Sequence, residues 1–255
     1  MTRKKLIVGN WKMNMTVHEA SLFVHRLAER AKQHRDVEVV LAPGMLILQP
    51  LSLQIHRAHF KLSSQNLYWR DSGAYTGEVS AAQLHGLVDY AIIGHSERRH
   101  IFNERDKEIR YKVQAAIRND IQPILCIGEN LEQRNKKITK QVIENQLKNC
   151  LKNIKNNQML KVSIAYEPVW AISRGNPNTK PASAQDAEDI HKFIRSLIKD
   201  IFGKNTAVNT RIIYGGSIKP DNAKELMAMP NIDGGLVGNA SLNAKSFAEI
   251  VNSAI

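Results

Sequence analysis

A (β/α)8 barrel, a closed cylinder of eight parallel strands ringed by helices, is the α/β fold that this 255-residue sequence predicts. Three observations carry the prediction. Short runs of β-branched and apolar residues recur eight times, and each is followed by a longer stretch with helical periodicity. Units of roughly 30 residues, eight times over, fill a chain close to the ~250 residues typical of such barrels. Runs such as Tyr90 to Ile93 and Ile212 to Tyr214 are apolar without alternation, as strands covered on both faces are.

The strands are read at Leu6 to Asn10, Val37 to Pro43, Phe60 to Asn66, Tyr90 to His95, Gln122 to Gly128, Lys161 to Pro168, Arg211 to Gly215 and Gly234 to Gly238. Between them, Thr16 with Glu19 forms a capping-box pattern ahead of the stripe Val17, Ala20, Val24, Leu27, Ala28 and Ala31. A second stripe runs through Ile143, Leu147, Cys150, Leu151 and Ile154. A third runs through Ile190, Phe193, Ile194, Leu197, Ile198 and Ile201, with Ser183 as its cap. No Gly/Ser-rich or Pro-rich linker and no low-complexity tract interrupts this rhythm, so residues 1–255 read as one domain.

Composition narrows the function classes. With 43% hydrophobic and 24% charged residues the chain can bury a sizeable core, and no apolar run approaches the roughly 18 residues of a membrane span. Two cysteines, Cys126 and Cys150, make neither a disulfide framework nor a metal-ligand pattern, and the start has no secretory apolar region, so the expectation is a reducing cytoplasm. A net charge of +12 points to something anionic without naming it. The most basic segment, Leu131 to Lys161, holds eight basic and two acidic residues. It has no interleaved aromatic side chains for base stacking, so it reads as a solvated outer helix face rather than a nucleic-acid patch.

In such a barrel the reactive groups gather at the carboxyl ends of the strands. Asn10 and Lys12 follow the first run, His95, Ser96 and Glu97 the fourth, Glu167 the sixth, and Gly215-Gly216-Ser217 and Gly238-Asn239 the last two. Read alone, Lys12 is a surface cation, His95 as much a structural as a catalytic histidine, Glu167 a strand-end acid and the glycines ordinary turns. Position adds a second reading. A helix start after His95 lowers the imidazole pKa and favours the neutral ring, which donates a hydrogen bond to a carbonyl. Glu167, ahead of Pro168, projects into a barrel mouth where a shielded carboxylate acts as a general base. The glycine-rich turns after strands seven and eight suit a phosphate. Cys126, inside an apolar run, reads as an inert buried thiol, and Trp11 and Trp69 read as packing residues. A base, a neutral donor, a fixed cation and a nest of amides suit proton abstraction beside the carbonyl of a small phosphorylated sugar.

The strings Gly9-Asn10-Trp11-Lys12-Met13-Asn14, Ile93-Gly94-His95-Ser96-Glu97-Arg98-Arg99, Pro123 to Glu129, Ala165-Tyr166-Glu167-Pro168-Val169-Trp170-Ala171-Ile172 and Tyr214-Gly215-Gly216-Ser217 resemble the triosephosphate isomerase family in order and spacing over the whole chain. The resemblance implies the TIM-barrel fold and interconversion of dihydroxyacetone phosphate and glyceraldehyde 3-phosphate without a cofactor or metal. It implies that Glu167 carries a proton between adjacent carbons, that His95 moves protons at the oxygens, and that Asn10 and Lys12 polarise the substrate. Glu97, with Ser96 beside it, belongs to the supporting polar network, and backbone amides near Ser173, Ser217, Gly238 and Asn239 hold the phosphate. Ser72-Gly73-Ala74-Tyr75-Thr76-Gly77-Glu78 looks like the family's subunit-contact loop, implying a homodimer in which Thr76 reaches the partner's Asn10.

Two departures from the family pattern stand out. Where the family usually has Ile-Gly-Thr-Gly-Lys, this chain reads Ile172-Ser173-Arg174-Gly175-Asn176, followed by Pro177, with one extra residue before the next helix. A glycine-like φ at Ser173 would cost about 1 kcal/mol or more. Asn239 stands where Gly is common, and Asn tolerates left-handed backbone while keeping its N–H. The competing readings are an isomerase of a related four-carbon ketose phosphate and a non-catalytic, nucleic-acid-binding barrel.

Overall fold

The computed structural model describes residues 3–172 and 182–255. Eight parallel strands close into one barrel in sequence order: β1 (Lys5–Asn10), β2 (Val37–Ala42), β3 (Phe60–Ser64), β4 (Tyr90–Ile93), β5 (Gln122–Ile127), β6 (Ser163–Tyr166), β7 (Ile212–Tyr214) and β8 (Gly234–Val237). The ladder of β8 onto β1, from Leu6 opposite Gly234 to Gly9 opposite Val237, completes the circle and leaves no edge strand. The helices in chain order are α1 (Val17–Arg30), α2 (Met45–Ser52), α3 (Ala81–Leu84), α4 (Ser96–His100), α5 (Asp106–Arg118) and α6 (Leu131–Asn135). They continue with α7 (Thr139–Cys150), α8 (Asn156–Met159), α9 (Ala184–Phe202), α10 (Lys204–Asn209), α11 (Pro220–Ala228) and α12 (Ala244–Asn252).

Alternation along the strands divides the core in two. Leu6, Val8, Val40, Ala42, Tyr90, Ile92, Ile124, Cys126, Ala165, Ile213 and Leu236 fill the inside of the cylinder. Their neighbours Ile7, Leu41, Ala91, Leu125, Ile164 and Ile212 face the helices and join the larger outer core. Both faces are therefore apolar, which is why these strands lack a polar period. The same parity places the chemistry: two residues beyond Val8, Ala165 and Leu236 come Asn10, Glu167 and Gly238, on the side that opens into the mouth.

The sequence runs overshoot the strands at their carboxyl ends because the backbone turns there. Gly94 has φ +72°, Pro168 has no N–H, and the Glu167 N–H reaches back to the Ile127 carbonyl at 2.8 Å. The capping box at Thr16 forms as read, with the Glu19 N–H donating to its hydroxyl and Glu19 accepting from the Thr16 N–H. Ser183 accepts the Asp186 N–H at the start of α9. Leu151 and Ile154 lie past the end of α7 yet remain buried. The basic segment lies on α6 to α8, where Lys136 pairs with Glu132 and Lys148 with Glu144 one turn away on exposed faces. At the amino end the barrel is plugged by a polar cluster in which the Tyr90 hydroxyl donates to Glu38 and accepts from Arg211 at 2.8 Å. Among the described residues no helix is long and apolar enough to cross a membrane.

Candidate active site

A cavity of about 810 Å³ opens at the carboxyl ends of the strands. Of the residues singled out in the sequence, Asn10, Lys12, His95, Glu97, Glu167, Ser217, Gly238 and Asn239 line it. Ser96 lies just beneath, buried, with its N–H donating to Glu167 Oε2 at 2.8 Å. Thr76 stands apart on the Ser72–Glu78 loop, every residue of which is exposed. Ser173 and the rest of the altered segment through Pro177 lie outside the described residues.

Glu167 is only 2% exposed and sits between two elements that its burial requires to be bare of side chains. A Cβ on Gly215 would come within 2.8 Å of Glu167 Cγ, and one on Gly128 within 1.8 Å of the Glu167 carbonyl oxygen. Its second oxygen, Oε1, lies 3.0 Å from His95 Nε2, at ion-pair distance but without the alignment of a hydrogen bond. That unsatisfied, buried oxygen gives the carboxylate an acceptor ready for another partner.

His95 is the N-cap of α4, and its Nδ1 accepts the Glu97 N–H at 3.2 Å. An Nδ1 that accepts leaves the ring hydrogen on Nε2, the atom that faces Glu167 and the cavity. The helix start thus sets the tautomer of the neutral ring. Burial pushes the imidazole pKa down, yet Glu167 and, more weakly, Glu97 outweigh it and leave the ring above its ordinary value. Burial likewise pushes Glu167 up, and His95, the Ser96 N–H and Lys12 bring it below the usual carboxylate value. An Nδ1 that accepts the Glu97 N–H belongs to the neutral ring, and the carboxylate beside Nε2 makes that ring easier to protonate than a free imidazole. That upward pull weakens when Glu167 moves away.

Lys12 adopts φ +55°, a left-handed conformation that costs a side-chain-bearing residue of order 1–3 kcal/mol. Its N–H donates to Asn10 Oδ1 at 3.1 Å, Gln65 Nε2 donates to its carbonyl at 2.8 Å, and its ammonium pairs with Glu97. The turn is over-determined, and the cation is aimed into the mouth. Beside Lys12, on the turn after β8, the N–H groups of Asn239 and Ala240 donate to no backbone carbonyl among the described residues, and after β7 the Ser217 N–H is held by the Ala171 carbonyl at 3.2 Å. Asn239 opens a 3₁₀ turn, Asn239–Leu242, and its φ is not left-handed, so the tolerance expected of Asn there is not needed.

Several contributors have no signature in sequence. Arg99 donates to the carbonyls of Gly94 and Cys126 at 2.8 and 3.1 Å and to Asp106 at 2.6 Å, fixing the turn that carries His95. Glu129, fully buried, accepts from Tyr166 and from Trp170 Nε1 at 2.8 Å, while Arg134 stacks over the Trp170 ring at 3.9 Å. These contacts tie the chain after Glu167 to β5 and α6. Cys126 is fully buried and its thiol pKa is pushed well up, first by burial, matching the inert reading. Among the described residues no three His, Cys, Asp or Glu side chains converge as metal ligands would.

A closed parallel barrel whose strand ends converge a buried carboxylate, an imidazole, an ammonium and free backbone amides on one cavity has the architecture of the (β/α)8 enzymes. The sequence model of the family described as triosephosphate isomerase matches residues 5–254. Proteins named triosephosphate isomerase from Chloroherpeton thalassium and Alkaliphilus metalliredigens are 47% and 45% identical, over 99% and 98% of this chain and 99% of each relative. A third, from Carboxydothermus hydrogenoformans, is 44% identical over 99% of this chain and all of its own length. The chain belongs to the triosephosphate isomerase family.

The buried pair makes a titration prediction. In the parent the His95 imidazolium is lost only as pH rises through a folded pKa above 6.5, and the Glu167 carboxylate only as pH falls through one below 4.5. The pair's contribution to stability is thus greatest between those two values. In Glu167→Gln the charge that raised His95 is gone and burial dominates, so nitrogen NMR of the ring will show its pKa fall below 6.5. A higher or unchanged value would contradict the pairing.

Proposed function

We propose that this chain, as one barrel domain over residues 1–255, interconverts dihydroxyacetone phosphate and D-glyceraldehyde 3-phosphate as an isomerase of glycolysis and gluconeogenesis. The reading is supported above all by one juxtaposition: Glu167 Oε1 and His95 Nε2 3.0 Å apart over a cavity that also admits Lys12. Membership in the family and full-length relatives bearing the enzyme's name favour the triose over a four-carbon ketose phosphate. They also favour catalysis over nucleic-acid binding, as does a basic segment partly neutralised by its own ion pairs.

In the proposed mechanism Glu167 leaves the Ser96 N–H and His95 and takes the proton from the carbon beside the substrate carbonyl. The electron pair moves onto the carbonyl oxygen, giving an enediolate. Glu167 returns the proton to the neighbouring carbon, while His95 Nε2–H supplies and recovers protons at the two oxygens. Lys12, in its locked turn, and the Asn10 carboxamide stabilise the oxyanion, each such donor contributing about 10²–10³ in rate. The scheme needs no cofactor. The phosphate dianion is assigned to the amides at Gly238 and Asn239 and to Ser217, whose N–H the Ala171 carbonyl must first release. Ala171 closes the 3₁₀ turn Val169–Ala171 just beyond Glu167, so phosphate binding and movement of the base are mechanically linked. Ser173 would complete the seat. Ser96 and Glu97 hold the base and the cation at rest.

The working form is proposed to be a cytoplasmic homodimer without membrane or nucleic-acid partners. Its support is the Ser72–Glu78 loop, which stands clear of its own barrel, together with Met13, Leu46, Ile101 and Phe102, large apolar side chains that water otherwise covers. These follow the ends of β1, β2 and β4, and the loop follows β3, so they occupy one consecutive half of the barrel mouth. Thr76 would cross to the partner subunit beside the Asn10 and Lys12 turn.

A coupled assay on the parent and on Glu167→Gln tests the chemistry: removal of the base lowers turnover by about 10²–10⁴ with inorganic phosphate still bound. Equal rates in the two proteins would overturn it. Sedimentation tests the assembly. The parent runs as a dimer, a deletion of Ser72–Glu78 runs as a monomer with much reduced turnover, and a monomeric parent would contradict the assignment.

A further inference from the structure

Asn239 offers a side chain that the backbone argument leaves unexplained. Its φ makes no demand for Asn or Gly, so conformation does not account for the residue. The side chain is exposed, borders the cavity, and makes no hydrogen bond among the described residues. It stands at the opening of a 3₁₀ turn whose first two N–H groups donate to no backbone carbonyl among the described residues. The turn lies next to the ammonium-bearing arm of Lys12, since a Cβ on the preceding Gly238 would sit 3.7 Å from Lys12 Cε. Ser241, the other polar side chain of the turn, is committed to the Gly238 carbonyl at 2.7 Å, so Asn239 alone has a free donor to give.

We propose that Asn239 recognises the substrate's phosphate with its side-chain amide as well as its main-chain N–H. The carboxamide Nδ2–H donates to a peripheral oxygen of a phosphate monoester dianion, adding a side-chain donor to a seat otherwise built from backbone. A hydrogen bond to an ionised acceptor is stronger than a neutral one, and it is directional. The added donor therefore tightens the grip on the dianion and fixes its orientation, a specificity role toward phosphorylated over unphosphorylated trioses. This inference rests on the phosphate seat assigned above.

The test compares the parent with Asn239→Ala and Asn239→Asp by calorimetric titration of inorganic phosphate and by steady-state kinetics with the phosphorylated triose. Loss of the donor weakens phosphate binding about three- to tenfold in Asn239→Ala, and the loss falls mainly on KM rather than kcat. Asn239→Asp, nearly the same shape but an anionic acceptor, weakens it further, by more than tenfold at neutral pH. A residue that merely filled space would show the opposite order, with Asn239→Asp close to the parent. Phosphate affinity in Asn239→Ala equal to or above the parent overturns the inference and leaves the seat standing. A parent that binds no phosphate overturns both.

Discussion

Holding the Glu167 carboxylate out of water, 3.0 Å from the His95 imidazole, is the constraint on which the rest of the mouth depends. A buried carboxylate with one oxygen lacking a hydrogen bond is costly unless nearby groups compensate it. Here the compensation comes from the Ser96 N–H, from His95 and from Lys12 farther off, while Gly128 and Gly215 leave the space the side chain occupies. The arrangement is a resting state. Its stabilising partners lie beside the base, and an entering substrate competes with them through its own polar atoms and the carbon-bound proton it presents.

The pair is built by the barrel's period rather than by local sequence. Strands that place Leu6, Val8, Ala165 and Ile213 in the inner core carry their next inward positions into the mouth, so Asn10, Glu167 and Gly215 arrive on one cavity from strands far apart in sequence. Closure of β8 onto β1 fixes their spacing, and the helices outside supply the apolar cover that lets both strand faces be dry. Lys12 and His95 need more than parity: each is delivered by a bent backbone, Lys12 itself at φ +55° and His95 after Gly94 at φ +72°. Those bends are secured by Gln65 and by Arg99.

Much of this was legible before any coordinates. Eight apolar runs identified the strands because β-branched residues and parallel burial leave a strong signal, and the capping box at Thr16 named its helix to the residue. Glu167, His95 and Lys12 could be singled out because chemistry-bearing residues stand directly after those runs. The upward pull on the His95 pKa was not legible, because it comes from a carboxylate 72 positions away, a relation that no local pattern encodes. Gln65, Arg99 and Glu129 were invisible for the same reason: a buried hydrogen-bonding residue looks like any surface polar residue until the fold supplies its partners. The Ala171 carbonyl occupying the Ser217 N–H is likewise a contact between loops, absent from either segment read alone.

The central claim is that a carboxylate, in exchange with solvent, carries the proton between two carbons of the substrate. Proton NMR of the parent turning over the triose phosphate in deuterium oxide tests this most directly. Solvent deuterium is expected at the carbon that receives the proton in product, with label in recovered substrate as the reaction reverses. Complete retention of hydrogen at both carbons, as a direct hydride shift between them would give, would contradict it.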